Sequence, residues 1–342
     1  MNQYSNDTQS GNTVTTESVK QHLSLGREPD ANLNIINTNG VNDDNYFWPA
    51  SWDGALNQSE YGFNSDAFRK LKAEKNLDSK SGKVYTFNAN TEGHVTVSYD
   101  NLKNSSYITN DGTRHNISKI MVTYNIHSVN RKQGILIFSD PTDGIGMLNG
   151  ESITLNDFKF FDDQGNQINF TNNTAYLAIT SLNHHANNAI ETVTSGNNVT
   201  PYALYGSSVS LHNGNQLYAT LCNDNGDGSN GSWDYAGHNN KSWDEKGPYE
   251  YFGTGLLSLS GSNSNFTFSV QNPDILITDI SGSGPWFTFT TVIPQTPAPQ
   301  LQHAETHYHY NTTNVYANRI IFSIILLSSL TCNSLITCKY VF

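Results

Sequence analysis

The sequence predicts an all-β protein, a large antiparallel β-sandwich with short peripheral helices. Three observations carry that expectation. Segments with period-two alternation recur from residue 84 to residue 292. Between them stand turn sequences such as "DDQGN" (162–166) and "HNGN" (212–215), with almost no helical punctuation, which excludes βαβ units. A chain of 342 residues with 36% hydrophobic content can bury a core of that size.

Taken in order, residues 1–17 are a polar lead-in without periodicity. "NSDAFRKLKAEKN" (64–76) predicts one short helix, capped by Ser65, with Asp66 in its first turn and Phe68 and Leu71 on one face. "HVTVSYDNL" (94–102) places Val95, Val97 and Tyr99 on one face of a strand. "KIMVTYNIH" (119–127) alternates Ile120, Val122, Tyr124 and Ile126 against Met121, Thr123 and Asn125. Further strands are expected at "GILIF", "DFKFF", "AYLAI", "SVSL", "QLYATL", "LLSLS", "NFTFSV", "ILITDI" (275–280) and "WFTFTTV" (286–292). The alternating prolines of "PQTPAPQ" end the pattern and predict a stiff spacer over 295–305. A tail follows over 306–342. His303 lies just before it, and within it His307 and His309 would share one face of an extended strand without making up a recognised metal-ligand set; its apolar run "IIFSIILLSSL" is shorter than a bilayer span requires.

Composition narrows the function. Charged residues are 14% of the chain and the net charge is −12, which argues against nucleic acid and against an anionic membrane surface as partners. Aromatics reach 11% in a background rich in Asn, Ser, Thr and Gly, a mixture typical of extracellular β proteins that touch sugars. The three cysteines, Cys222, Cys332 and Cys338, provide no disulfide framework, so packing must hold the fold. The opening "MNQYSNDTQSGN" has neither a basic nor an apolar leader region, which points to a piece of a longer secreted protein or a start further upstream.

Two motifs are candidates for a site, and they adjoin. In "NDNGDGSNGSWD" (223–234), Asn223, Asn225, Asp227 and Asp234 fall at positions 1, 3, 5 and 12 of a calcium loop, with Gly228 at 6, so one calcium ion is the candidate cofactor. Asn at position 1 and Asp at position 12 give that site a low charge. The continuation to residue 251 supplies Trp233, Tyr235, Trp243, Tyr249 and Tyr251, interleaved with Asp234, Asp244 and Glu245. Sugars present flat apolar faces rimmed by hydroxyls, so aromatic platforms beside amides and carboxylates suit them. Trp233, Tyr235, Trp243, Asp244, Glu245 and Tyr251 are therefore the expected ligand-binding set, and a cation would order the loop that carries them.

A colinear series of segments then points to a family. "HLSLGREPDAN" (22–32), "VSYDNLKNSSY" (97–107), "ISKIMVTYNI" (117–126), "IFSDPTDGI" (137–145), "DFKFFDDQGNQINF" (157–170), "SLNHHANNAIE" (181–191) and "YFGTGLLSLSG" (251–261) resemble, in this order, the variable-region domain shared by the streptococcal surface antigen I/II adhesins and glucan-binding protein C. The resemblance covers residues 18–294. It implies a lectin-like sandwich with a cleft, on a wall-attached extracellular protein of a Gram-positive bacterium, that binds α-glucan or host glycoprotein glycans. Asn183, in the matching "SLNHHANNAIE" segment, joins the ligand-binding set as a candidate contact to a sugar diol. In "SDPTDG", Asp140 and Pro141 read as turn formers and Asp143 as a distant cation candidate.

Two alternatives stand beside this reading. A glycoside hydrolase would need paired carboxylates, for which Asp162, Asp244, Glu245 and Glu250 are available, but no nucleophile elbow, phosphate loop or zinc motif is present and the resemblance implies binding without catalysis. A passive spacer in a surface stalk would have no organised cleft.

Overall fold

The alternating segments form strands, except that "WFTFTTV" is a strand only over Trp286–Phe287. The computed structural model describes residues 12–43, 84–89, 91–127, 133–148, 151–185, 189–223, 232–233, 241–243, 248–272, 286–298, 325–330 and 336–341. The 64–76 helix, the 275–280 strand and the tail histidines lie outside the described residues. In chain order the strands are β1 (Thr13–Val14), β2 (Leu23–Ser24), β3 (Asn32–Asn39), β4 (Asn42–Asp43), β5 (Val84–Ala89), β6 (Gly93–Ile108), β7 (Arg114–His127) and β8 (Gln133–Phe138). They continue as β9 (Ile145–Leu148), β10 (Ser152–Asp162), β11 (Phe170–Ile179), β12 (Ile190–Ser195), β13 (Val199–Leu204), β14 (Val209–His212) and β15 (Gln216–Ala219). Last come β16 (Ser232–Trp233), β17 (Lys241–Ser242), β18 (Gly255–Gly261), β19 (Ser264–Gln271), β20 (Trp286–Phe287), β21 (Ile325–Leu330) and β22 (Ile336–Val341). The described helical residues are single 3-10 turns, at Thr16–Ser18, Pro141–Asp143 and Glu250–Gly253.

Residues 1–299 form one unit and 300–342 another. In the second, the apolar run pairs with the chain end, β21 against β22. No helix of the described residues is long and apolar enough to cross a membrane. In the first, a nine-stranded sheet runs β14-β15-β12-β19-β10-β7-β6-β2, with β3 also on β6. A four-stranded sheet runs β1-β13-β18-β11, and a five-stranded one β20-β9-β8-β5-β4.

Alternation places the core. Val95, Val97, Tyr99, Ile120, Val122, Tyr124 and Ile126 are buried, and they pack into one cluster with Leu177, Leu257 and Leu259 of the four-stranded sheet. Aromatic pairs lock it, Phe158 against Phe160 at 4.7 Å between ring centres and Phe160 edge-on to Phe170 at 5.0 Å. The intervening residues of β6 and β7, such as Thr96, Thr123 and Asn125, form the outer face.

Strands β11 and β18 depart from alternation, because "AYLAI" and "GLLSL" are buried at every position. The reason is a second apolar layer. Leu177, Ile179, Leu257 and Leu259 face the main core, while Tyr176, Ala178 and Leu256 face a separate cluster with Leu204, Trp243, Tyr251 and Phe252. A strand covered on both faces reads as a continuous apolar run.

Residues 12–17 and 294–298 meet on the β body. β1 pairs in parallel with β13, Thr16 Oγ1 donates to the Pro294 carbonyl at 2.6 Å, and the Thr296 N–H donates to Thr16 Oγ1 at 2.9 Å. Residues 12–17 and 294–298 thus satisfy each other's polar groups on the body.

The "DDQGN" turn shows how the acidic residues are spent. Asp162 Oδ1 accepts from the Gln164 and Asn166 N–H groups at 3.0 and 2.7 Å, and Oδ2 accepts from the Asn166 amide at 3.2 Å. Burial alone would raise its pKa, yet these donors, with His115 beside it, carry it below the ordinary carboxylate value. Asp100 behaves likewise, where Ser98, Asn34 and Lys119 outweigh burial. Asp111, bonded by the Thr109 hydroxyl and the Thr113 N–H, falls to about 2. A carboxylate with a depressed folded-state pKa contributes stability above its unfolded value, and that contribution is lost as the pH falls through the folded value. The melting temperature is therefore expected to hold from neutral pH to about pH 4 and to drop between about pH 4 and pH 2. A flat profile over that interval, followed by circular dichroism, would contradict the assignment.

Candidate functional site

The segment with the calcium spacing and most of the aromatic cluster runs from Asn223 to Trp243, and both of these residues are described. Both ends are fastened. Asn223 is fully buried, its Oδ1 accepts the His184 N–H at 2.7 Å, and its Nδ2 donates to the Leu182 carbonyl at 3.1 Å and to Ser208 Oγ at 2.8 Å. Trp243 is 2% exposed and its indole N–H donates to the Asn223 carbonyl at 3.0 Å. One hydrogen bond thus closes the two ends of the loop on each other. Between them, β16 and β17 pair as a short antiparallel ladder, Trp233 opposite Lys241.

These placements correct three expectations. Trp243 is not a solvent-facing platform, since its ring packs edge-on to Phe252 with centres 5.9 Å apart and lies so close to Gly253 that a Cβ there would overlap it. An indole in a Gly-rich polar segment reads as exposed, but it finds its apolar neighbours on the second face of the four-stranded sheet. Tyr251 belongs to the same layer and is buried, with its hydroxyl pKa raised first by burial and then by Tyr249. Asn223 does not fit position 1 of a cation site, because its amide is spent on backbone and on Ser208. Asn225, Asp227, Asp234, Tyr235, Asp244 and Glu245 lie outside the described residues. Of Trp233, only the backbone is described.

Asn183 sits beneath the same end of the sandwich. Its Nδ2 donates to Glu191 Oε2 at 3.2 Å and to the Ser181 carbonyl and hydroxyl, each at 3.1 Å, and its N–H donates to Glu191 Oε2 at 3.0 Å. Its Oδ1 is buried without a partner among the described residues. The structure therefore joins Asn183, Asn223, Trp243 and Tyr251 around one buried base, with Asn183 and Asn223 bracketing His184. "SDPTDG" forms the expected turn, with Asp140 capping Thr142.

A concavity of about 560 Å³ lies elsewhere, on the outer face of the nine-stranded sheet. Sequence reasoning passed over it, because Asn125 reads only as the outward face of one strand and the other lining asparagines are brought to it only by strand register.

Comparison with known proteins agrees with the fold. The family model described as glucan-binding protein C matches residues 6–290. The solved glucan binding protein C of Streptococcus mutans, studied for sucrose-independent and sucrose-dependent adherence, is similar at 23% identity and a TM-score of 0.56, over 83% of either chain. The adhesin domain of PrgB from Enterococcus faecalis, solved bound to DNA, is similar at 21% identity and a TM-score of 0.55, over 82% of this chain and 98% of that one.

Proposed function

Because the chain belongs to the glucan-binding protein C family, we propose that it is a cell-surface adhesin domain of a Gram-positive bacterium that binds carbohydrate, α-glucan first, at the loop end of the sandwich. The family match over nearly the whole β body is the observation that carries this reading. The buried layer described above supports it by giving the aromatic loop a rigid base. Binding residues work best when their supports are locked, and here Trp243 and Asn223 lock the loop ends. Contact with ligand then falls to Trp233 and Tyr235 of the loop and to Asp244 and Glu245, which follow Trp243.

Binding without cleavage is the activity proposed. Asp162, one of the carboxylates a hydrolase would recruit, has both oxygens engaged in its own turn. A polyanionic ligand suits this chain less well than a neutral one, because a net charge of −12 repels phosphates. Titration calorimetry with dextran tests the reading. Wild type is expected to bind and to release no shorter sugars, while Trp233→Ala and Tyr235→Ala each weaken binding by about tenfold or more through lost stacking. A folded protein that binds neither dextran nor host glycoprotein glycans would sink it.

A further inference from the structure

The outer face of the nine-stranded sheet carries a row of hydroxyls and amides in register. His94 stands opposite Asn125, Asn125 opposite Thr154, Thr154 opposite Thr267, and Thr267 opposite Thr194. A second row runs Thr96, Thr123, Asn156. Outward residues of a half-buried sheet are polar by default. The groove of about 560 Å³ departs from that default by its shape and by the state of its amides.

Its floor is His94, Thr96, Thr123, Asn125 and Asn156. Its wall rises from the turn after β12 and the turn before β19, which are bonded into one block. The Gly196 N–H donates to the Asn265 carbonyl at 3.0 Å, and the Asn265 N–H to the Asn197 carbonyl at 3.2 Å. Gly196 is required there, because a Cβ would overlap the Asn265 amide. A bulge in β10, with Asp157 in the left-handed region at φ 53°, brings the carboxylate of Asp157 up to meet the wall.

Three of the wall amides are held by one end. Asn265 Oδ1 accepts the Asn197 N–H at 2.6 Å, Asn198 Nδ2 donates to the Asn263 carbonyl at 2.7 Å, and Asn263 Nδ2 donates to Asp157 Oδ1 at 3.0 Å. The other end of each amide makes no bond among the described residues. On the floor, the Asn125 and Asn156 amides make none at either end among the described residues. The groove therefore offers oriented donors and acceptors side by side, which is the pairing a vicinal diol needs. Its described lining contains no lysine or arginine, and its one carboxylate, Asp157, is paired with Lys159 at 2.9 Å. That chemistry selects against polyphosphates and polycarboxylates, and the absence of exposed apolar side chains selects against hydrophobic peptides.

We propose that this groove is a second binding site, for a neutral polysaccharide lying across strands β6, β7 and β10. Neighbouring strands are about 4.8 Å apart, so each step across the sheet advances by about the length of a sugar ring. The site is separate from the loop end. Glu191, bonded to Asn183, is the second residue of β12, and Asn197 follows its far end, roughly 20 Å along the strand. The inference does not depend on the loop-end reading.

The test uses the full chain with dextran, pullulan and mannan as probes and with hyaluronate and duplex DNA as polyanionic controls. Four proteins are compared: wild type, W233A/Y235A, N125A/N156A and the four-fold variant, each first checked for an unchanged melting temperature. The groove predicts that W233A/Y235A keeps a residual affinity for a neutral probe and that adding N125A/N156A weakens it by about tenfold or more, as two lost hydrogen bonds would. Hydrogen exchange in the 196–198 and 261–265 turns should slow with the probe bound. Residual binding that ignores N125A/N156A, or turns that exchange at an unchanged rate, overturns the groove and leaves the loop end standing. Neutral binding that depends on N125A/N156A alone upholds the groove and overturns the loop end. Tighter binding to either polyanion than to any neutral probe, or no neutral binding at all, overturns the groove.

Discussion

Replacing Trp243 by Ala is expected to cost about 3–5 kcal/mol of folding stability, before any effect on ligand is measured. The indole is the largest side chain of the second apolar layer, packed on Phe252 and Gly253 beneath the four-stranded sheet. Its removal leaves a cavity against Leu204 and Leu256 that a rigid sheet cannot collapse to fill. It also frees the Asn223 carbonyl and opens the one described bond that closes the loop. Trp243→Phe separates the two effects. It keeps most of the ring contact and drops the N–H, so a loss of about 1–2 kcal/mol is expected. Urea denaturation of the three proteins checks this order. A cost below about 1 kcal/mol for Trp243→Ala would mean that the ring does not hold the layer together. The practical consequence is that Trp243→Ala reports on folding, and binding is better tested at Trp233 and Tyr235.

The same residue shows where sequence is legible and where it is not. Period two placed Val95, Val97 and Tyr99, and Ile120 to Ile126, on the correct face, because a strand in a half-buried sheet needs only local alternation to declare its inside. The colinear segments foretold the family for a related reason, since "DFKFF" and "IFSDPTDGI" carry core positions and turn formers together. Trp243 escaped because its partners, Phe252, Leu256 and Leu204, lie outside its own segment, and nothing local says that the four-stranded sheet has a second covered face. Asn223 escaped for a similar reason. Its spacing fits a calcium loop, but the groups that consume its amide, His184 and Ser208, come from elsewhere in the chain. The groove is the extreme case. Asn125, Asn156, Asn198 and Asn263 become one surface only through the register of β6, β7, β10, β12 and β19, which no single stretch encodes.

Glu28→Ala is the other substitution expected to cost about 3–5 kcal/mol, through the loss of a buried carboxylate that serves three donors. Between Asp100 and Ser105 the pairing of β6 with β7 shifts register, and the residues in between turn their N–H groups out of the ladder. Glu28 collects them. Its Oε2 accepts the Lys103 N–H at 2.8 Å, and its Oε1 accepts the Asn104 N–H at 2.7 Å and Ser105 Oγ at 2.8 Å. Its own N–H donates to Asp140 Oδ2 at 2.8 Å, which ties the "GREPDAN" stretch to the "SDPTDG" turn. The neighbours make that reach feasible. Leu23 and Leu25 anchor the segment in the core, and Gly26 passes so close to β6 that a Cβ would stand 2.6 Å from the Asn104 carbonyl oxygen. Glu28 is 2% exposed, and each donor orphaned by its loss costs about 1–3 kcal/mol. Glu28→Gln keeps one acceptor and turns an NH₂ group toward donors, so it should fall between wild type and Ala. Hydrogen exchange supplies a local readout, with the Lys103 and Asn104 amides expected to exchange faster in Glu28→Ala than in wild type. Unchanged exchange at those two amides, or a loss below about 1 kcal/mol in urea denaturation, would show that the bulge stands without its carboxylate.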